Sequence, residues 1–257
     1  MADTTIAEQI FESWGVPFTP VPTTHEEEAD WLVDIDGCIY LIEEKTKLSN
    51  PEEILNRSIA LNAQNEYTTV KSVSRSNRLS GIVRKANKQL KSTGASKKHQ
   101  FRLVWFTAIG FDAEAKHMQF IATLYGTSTV FEIDGKYLRE CYFFYNSEFF
   151  RYRNDLDGAV ASFLFGETVT MYLCLNPYSP NYEKLRDSPI VHKLPNGLTD
   201  PVAEEKAGRA YIADTEIDRA DSQAVMKFLE AKYNTGKLGH MDMKMASVEF
   251  RLPPPSV

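Results

Sequence analysis

Residues 29–47 have the sequence ADWLVDIDGCIYLIEEKTK, which contains the clearest structural signal in the chain. Two apolar runs, WLVDI and CIYLIEEK, flank the dipeptide formed by Asp36 and Gly37. An Asp-Gly pair between alternating apolar residues is typical of a two-residue β-hairpin turn. In a hairpin with that turn, Asp30 on the first strand lies opposite Glu43 on the second. The sequence therefore predicts two carboxylates side by side.

Lys45 is predicted to join this acid pair. Successive side chains of a strand point to opposite faces, so Lys45 lies on the same face as Glu43. Facing carboxylates repel each other, and a divalent cation is the usual compensation for paired oxygen ligands. A bulge at Gly37 would shift the register by one residue, so both registers stay open at this point.

The elements around the hairpin predict an α/β fold with a mixed central sheet flanked by helices. The expected elements are helices at 5–14, 50–65, 78–92, 157–165 and 218–233, and strands at 101–110, 117–126 and 168–175. We expect a core at 1–140 and a C-terminal α+β extension of unknown role at 141–257. The alternative is that the extension packs on the core as one domain.

The spacing of Asp30 from Glu43-Glu44-Lys45, at the end of an apolar strand, resembles the PD-(D/E)XK nuclease superfamily. This resemblance implies a restriction-endonuclease-like core. It also implies that Asp30 and Glu43 bind Mg²⁺, with Mn²⁺ as a substitute, and that Lys45 orients or activates the attacking water. The family's proline before the first acid is replaced here by Ala29.

The resemblance suggests two further catalytic residues. Glu8, or in its place Glu12, matches a glutamate that members often carry on the first helix. Glu8 has an alternative role, because the pattern from Thr5 to Glu8 is typical of a helix capping box. Gln89 is similar to a glutamine or lysine that many members place on a later helix, and its alternative is an ordinary surface position.

The charge distribution indicates a nucleic-acid partner. The net charge is −6, yet residues 67–111 hold ten basic residues and no acid. A basic surface in an acidic protein is suited to binding phosphates. The predicted nucleic-acid-binding residues lie on the helix at 78–92, and the alternative is a solvated face with no partner. They are Arg78, Arg84, Lys85, Lys88 and Lys91.

Several other classes of protein are not supported by the sequence. Three widely spaced cysteines give neither a disulfide framework nor a zinc motif, and the histidines lack metal-ligand spacing. Phosphate-loop and nucleophile-elbow motifs are absent from the sequence. No apolar run is long enough to cross a membrane, and no secretory signal is recognisable. We therefore expect a cytoplasmic protein without a membrane partner.

The function predicted from the sequence is metal-dependent hydrolysis of phosphodiester bonds in DNA, with RNA less favoured. The first alternative is a catalytically inactive nuclease-like module that binds nucleic acid or takes part in an assembly. The second is an unrelated α/β protein in which the acid pair is a coincidence. The sequence leaves a homodimer open.

Overall fold

The computed structural model describes residues 4–22, 28–135, 137–194 and 196–251. The helices in these ranges are α1 (Ile6–Trp14), α2 (Pro51–Asn62), α3 (Asn77–Gly94), α4 (Ala113–Tyr125), α5 (Glu148–Arg151), α6 (Tyr182–Arg186), α7 (Pro189–Lys193), α8 (Pro201–Lys206) and α9 (Ser222–Tyr233). The strands are β1 (Phe18–Pro20), β2 (Trp31–Ile35), β3 (Cys38–Leu48), β4 (Tyr67–Ser72), β5 (Phe101–Ile109), β6 (Ser128–Glu132), β7 (Leu138–Tyr142), β8 (Gly158–Phe165), β9 (Thr168–Leu175), β10 (Leu198–Thr199), β11 (Ala210–Ile212), β12 (Leu238–Met241) and β13 (Lys244–Glu249).

The predicted hairpin is formed by β2 and β3. Its turn residues Asp36 and Gly37 have φ angles of 51° and 82°, in the positive region that a type I′ turn requires at both central positions. Trp31 pairs with Ile42 across the hairpin. This is the register of the two-residue turn without a bulge, so the hairpin prediction is confirmed.

A seven-stranded sheet surrounds the hairpin, in the order β1-β2-β3-β5-β8-β9-β10. Strands β3, β5 and β8 are parallel, whereas the β2–β3 and β8–β9 pairs are antiparallel. Most of β5 is buried, because parallel strands in such sheets are covered on both faces. The expected α/β class, with a mixed central sheet and flanking helices, is confirmed.

Helices cover both faces of this sheet. On one face, which we call the α1 side, Phe11 of α1 packs edge-on against Trp105 with ring centroids 5.2 Å apart. On the other face, the α3 side, Phe120 of α4 stacks on Phe106 at 4.1 Å. Leu41 of β3 belongs to the core of the α3 side. Alternate residues of β3 therefore face two different environments.

The predicted strand at 117–126 is wrong, because these residues lie in α4. Gly126 ends α4 in the left-handed conformation, with a φ of 65°, as helix-terminating glycines commonly do. The segment HMQFIATLY is apolar on most sides since α4 is buried between the sheet and other elements. A short apolar run of this kind does not distinguish a buried helix from a buried strand.

The predicted helix at 157–165 is also wrong. Residues Gly158–Phe165 form β8, which pairs with β5 on one side and β9 on the other. The sequence of a central strand that is covered on both faces is a continuous apolar run, without the alternation typical of a half-exposed strand. One partner strand, β5, is distant from β8 in the sequence, so local patterns did not reveal β8.

Residues on both sides of the expected boundary at 140 build the same central sheet. Strands β8, β9 and β10 belong to it, and position 140 itself lies within β7. A second sheet has the order β11-β7-β6-β12 and shares a small core with α9. Strand β4 pairs with β13 in a separate two-stranded ribbon.

The helix ends agree with the sequence signals. Thr5 caps α1 and Gly15 ends it, and Asn50 caps α2 with Pro51 at its first turn. These contacts confirm the predicted starts of both helices. In the ranges that the structure describes, no helix combines the length and apolar character needed to cross a membrane.

Candidate active site

Asp30 lies immediately before β2 and extends the hairpin by one residue. Its backbone N–H donates to the carbonyl of Ile42 at 3.1 Å. Its side-chain Oδ2 accepts a hydrogen bond of 2.7 Å from the backbone N–H of Glu44. These two bonds fix Asp30 against β3, opposite Glu43, whose side chain lies on the α3 side.

Glu43 is the most unusual charged residue of the sheet. Its side chain is fully buried, at 0% exposure. One carboxylate oxygen, Oε1, contacts Lys45, and the other, Oε2, has no hydrogen-bond partner among the described residues. Burial, the nearby charge of Asp30 and a side-chain hydrogen bond with Asp30 raise the pKa of Glu43 to about 8, against the opposing hydrogen bond and charge of Lys45. A buried carboxyl oxygen without a partner is costly unless a ligand satisfies it.

Lys45 completes the group at its solvent-facing edge. Its ammonium contacts Glu43 Oε1, and its side chain is 23% exposed whereas that of Glu43 is not exposed at all. The structure thus brings Asp30, Glu43 and Lys45 together on the α3 side. The sequence spacing had placed them there because of strand alternation.

Glu8 is occupied at the start of α1. Its Oε2 accepts a hydrogen bond from the backbone N–H of Thr5 at 2.7 Å, and its own N–H donates to Thr5 Oγ1. Both bonds of the capping box are therefore present. This contact gives Glu8 the alternative role that the sequence had suggested, on the helix of the opposite face. Glu12, the other candidate on this helix, is exposed.

Glu44, which the sequence analysis did not single out, links α1 to the sheet. Its carboxylate accepts hydrogen bonds from Thr5 Oγ1 at 2.8 Å and from Trp31 Nε1 at 3.2 Å. Burial raises the pKa of Glu44, although these hydrogen bonds oppose the shift. Strand alternation was the available signal, since it places Glu44 on the face opposite Glu43.

Gln89 lies on the inner face of α3, next to the segment that leads into Asp30. It is buried, and its Nε2 donates to the carbonyl of Glu28 at 3.0 Å. Its Oε1 has no partner among the described residues. One turn later, Thr93 Oγ1 accepts a hydrogen bond of 2.7 Å from the N–H of Ala29. Helix α3 therefore holds the chain just before Asp30.

Thr93 was missed by the sequence analysis. A signal was present, because residues four apart on a helix share one face and Thr93 follows Gln89 at that spacing. Without knowledge of the tertiary contact with Ala29, however, a threonine near the end of a helix has no distinctive chemistry.

The predicted nucleic-acid-binding residues lie on the outer surface of α3. All five are exposed in the structure, and Lys91 pairs with Asp155 at 3.3 Å. They are Arg78, Arg84, Lys85, Lys88 and Lys91. Since Gln89 and Thr93 occupy the inner surface of the same helix, one rigid element joins this basic surface to the Asp30 segment.

The donor set at the site is suited to a hard divalent cation. Mg²⁺ is commonly bound by one or two carboxylates, with water and substrate phosphate oxygens completing its shell. Asp30 and Glu43 supply two carboxylates, and Glu43 Oε2 has no hydrogen-bond partner among the described residues. In the ranges described, no group of three or more His, Cys, Asp or Glu residues is arranged to hold a metal. Asp30 and Glu43 could hold such an ion only if water or substrate supplied its remaining ligands.

Comparison of the chain with protein-family models, curated proteins and solved structures gives no significant match. The resemblance to the PD-(D/E)XK superfamily thus stays a prediction. The functional argument depends on the geometry of Asp30, Glu43, Lys45 and α3.

Proposed function

We propose that the chain is a metal-dependent nuclease that hydrolyses phosphodiester bonds in DNA, with RNA less favoured. One observation carries this proposal. A fully buried glutamate, Glu43, has an oxygen with no hydrogen-bond partner in the described ranges, and Asp30 and Lys45 influence its pKa in opposite directions. A structural acid would be expected to have its hydrogen bonds satisfied.

Asp30 and Glu43 would hold Mg²⁺ or Mn²⁺. When bound, the ion supplies Lewis-acid polarisation of a phosphoryl oxygen and lowers the pKa of a bound water. Asp30 is positioned for this role by the hydrogen bond that its Oδ2 accepts from the N–H of Glu44. The pair would then gain charge compensation beyond that supplied by Lys45.

Lys45 would orient the attacking water and stabilise negative charge that develops on the phosphate. The Lys45 side chain is more exposed than that of Glu43, so a substrate would reach its ammonium from solvent. A preorganised cation of this kind acts where charge develops in the transition state. The exposed basic surface of α3 would hold the nucleic-acid backbone, so binding should weaken steeply as salt increases.

A catalytically inactive nuclease-like module is the second candidate. The contact between Lys45 and Glu43 favours it, because an ammonium satisfies part of the charge of a buried carboxylate without a metal. In that case the chain would bind nucleic acid or a partner through the same fold, and the acid pair would serve structure alone.

A cleavage assay tests the proposal. The purified chain is expected to cut DNA with Mg²⁺ or Mn²⁺ and to be inactive in EDTA. Asp30→Asn, Glu43→Gln and Lys45→Ala should each remove activity while the melting curve shows a folded protein. Glu114→Gln serves as the matched control, because Glu114 is an exposed acid of another acid-x-Lys sequence on α4. Cleavage by Lys45→Ala at the wild-type rate would contradict the mechanism.

Thermal melts separate the two candidates without a substrate. If Asp30 and Glu43 share an ion, Mg²⁺ should stabilise the wild type, by about 2.7 kcal/mol at a hundredfold excess over Kd. At pH 9 in EDTA, where Glu43 is ionised, Asp30→Asn should melt higher than the wild type, because it removes one of two repelling charges, and it should not respond to Mg²⁺. A wild type that is indifferent to Mg²⁺ and more stable than Asp30→Asn favours the inactive module.

A further inference from the structure

A cavity of about 590 Å³ lies beyond the end of β3, among the starts of α2 and α3, strand β4 and helix α4. Four basic side chains line it, and each comes from a different element. They are Lys47, Lys71, Arg78 and Lys116. The fold thus gathers at one point cations that are far apart in the sequence.

Two acids neutralise part of this charge. Lys71 bonds to Glu53 at 2.5 Å, and Lys116 contacts Asp112, which also accepts a hydrogen bond from the Ser49 hydroxyl. Burial alone would raise the pKa of Asp112, but its hydrogen bonds with Lys116 and Ser49 lower that pKa. Asp112 is therefore ionised and already engaged by Lys116.

The other two cations, Lys47 and Arg78, are less compensated. Within the described part of the chain, neither Lys47 nor Arg78 forms an ion pair with a carboxylate. Burial, and then the charges of Arg78 and Lys116, lower the pKa of Lys47, although the charge of Asp112 opposes this shift. Like charges held close together are unfavourable unless an anion shares them. The cavity therefore has room and excess positive charge for an anionic group.

The wall of the cavity is held rigidly at the ends of β3 and β5. The N–H of Ser49 donates to the carbonyl of Ile109 at 3.1 Å. Gly110 follows with a φ of 118°, and a Cβ atom there would lie 2.0 Å from Ser49 Oγ. Only glycine allows this approach. Ser49, and through it Asp112, is thus fixed in place before any ligand binds.

We propose that this cavity is a phosphate-binding pocket. Lys47 and Arg78 hold a phosphate group of the nucleic-acid substrate in it, next to the phosphate that Lys45 contacts. This assignment of a second phosphate rests on the proposed function. Lys45 and Lys47 lie on the same face of β3, and two residues of an extended strand span about 6.8 Å. That distance is similar to the separation of successive phosphates along a nucleic-acid strand.

Equilibrium binding in EDTA, over a salt titration, tests the pocket apart from catalysis. The probes are two versions of one DNA duplex, with a 5′-phosphate and with a 5′-hydroxyl. Lys47→Gln and Arg78→Gln should each weaken binding about tenfold, as expected for the loss of one charged hydrogen bond. The matched control is Lys227→Gln, because Lys227 is an exposed cation on α9 that does not line this cavity.

The salt dependence makes the test sharper. If Lys47 and Arg78 hold the same phosphate, the double variant should lose about 0.9 from the magnitude of the log–log salt slope, the value for one phosphate contact on duplex DNA. A loss of twice that value would assign the two residues to separate phosphates and overturn the shared pocket. Melting curves establish that each variant is folded, and Arg78→Gln alters an exposed side chain, so it remains usable if Lys47→Gln does not fold.

The two DNA ends identify the source of the phosphate. A preference of the wild type for the 5′-phosphate that disappears in the double variant supports a terminal phosphate. Equal affinity for both ends, with the same loss in the double variant, supports a backbone phosphate. If the double variant binds DNA as tightly as Lys227→Gln does, the pocket proposal is overturned, even if the wild type cleaves DNA. A wild type that does not cleave, but whose binding requires Lys47 and Arg78, overturns the nuclease proposal and supports the phosphate pocket.

Discussion

Glu43 and Glu44 are neighbours in the sequence, yet they lie on opposite faces of β3 in very different surroundings. Glu44, on the α1 side, accepts hydrogen bonds from Thr5 and Trp31 and fastens α1 to the sheet. Glu43, on the α3 side, is fully buried, and in the part of the chain that the structure describes one of its oxygens has no hydrogen-bond partner. Burial raises the pKa of both carboxyl groups, so burial alone does not distinguish them.

The distinction lies in what compensates each buried acid. The protein itself satisfies Glu44, which is the pattern of a structural residue. Next to Glu43 it places a second acid, Asp30, whose charge raises the pKa further. Strain of this kind is expected where a ligand supplies the missing interaction. The α1 side therefore provides stability, and the α3 side provides the candidate chemistry.

The largest expected effect is the difference in activity between Glu43→Gln and Glu44→Gln. Glu43→Gln should reduce metal-dependent cleavage to background, because it removes a proposed ligand. Glu44→Gln should retain most of the activity, since its contacts lie on the opposite face. Single-turnover cleavage of labelled DNA measures both, at a temperature where both variants are folded. Equal losses in the two variants would remove the functional distinction between the faces.

The next largest effect concerns stability on the α1 side. Glu44→Ala leaves the Thr5 hydroxyl and the Trp31 indole without their acceptor. Hydrogen bonds to charged groups contribute about 1.5–3 kcal/mol each, so we expect a net loss of about 3 kcal/mol. Urea denaturation measures it, with Glu114→Ala as an exposed-acid control. A loss no larger than that of the control would mean that Glu44 does not anchor α1.

The third effect is a gain in stability, and it depends on pH. Because the pKa of Glu43 is raised from 4.5 to about 8, the folded state holds this proton more tightly than the unfolded chain does. Its contribution to stability is therefore present below pH 4.5 and is lost as the pH rises through 8. Glu43→Gln does not ionise, so in EDTA it should become more stable relative to the wild type over that range.

The expected gain of Glu43→Gln is about 2 kcal/mol at pH 9. The full pKa shift would give more at about 1.4 kcal/mol per unit, but Lys45 loses its partner in the same variant. Urea denaturation of both proteins from pH 4 to 9 measures the difference. A constant difference over this range would contradict the raised pKa.

The hairpin and the three residues at its open end could be predicted from sequence because they depend on local rules. Asp36 and Gly37 fix the turn, the turn fixes the register, and alternation then places Glu43 and Lys45 on one face. The same rules failed for β8, whose identity depends on pairing with β5. Pairing between strands that are distant in the sequence leaves no local periodicity when both faces are buried.

The supporting contacts of the site could not be predicted for a related reason. The role of Gln89 depends on its bond to the carbonyl of Glu28, and the pocket beyond β3 depends on side chains from four elements. The capping box at Glu8, in contrast, was one of two roles predicted from sequence, because it involves residues within one helical turn. Sequence reasoning thus identified the residues on one hairpin, and it named Gln89 and Arg78, but it did not reveal the contacts that tertiary packing assembles around them.

The smallest expected effect tests whether α3 positions Asp30 as a part of the site. Thr93 Oγ1 accepts the N–H of Ala29, and Thr93 is 3% exposed. Thr93→Val keeps the shape of the side chain but leaves this buried N–H without an acceptor, which costs about 1 kcal/mol. Because Ala29 directly precedes Asp30, we also expect a weaker response of the melting temperature to Mg²⁺, whereas Thr93→Ser should restore both properties. A merely structural threonine predicts the loss of stability with an unchanged Mg²⁺ response. Melting curves of the three proteins across a Mg²⁺ titration distinguish these outcomes, since the apparent Kd for Mg²⁺ is obtained separately from the stability in EDTA.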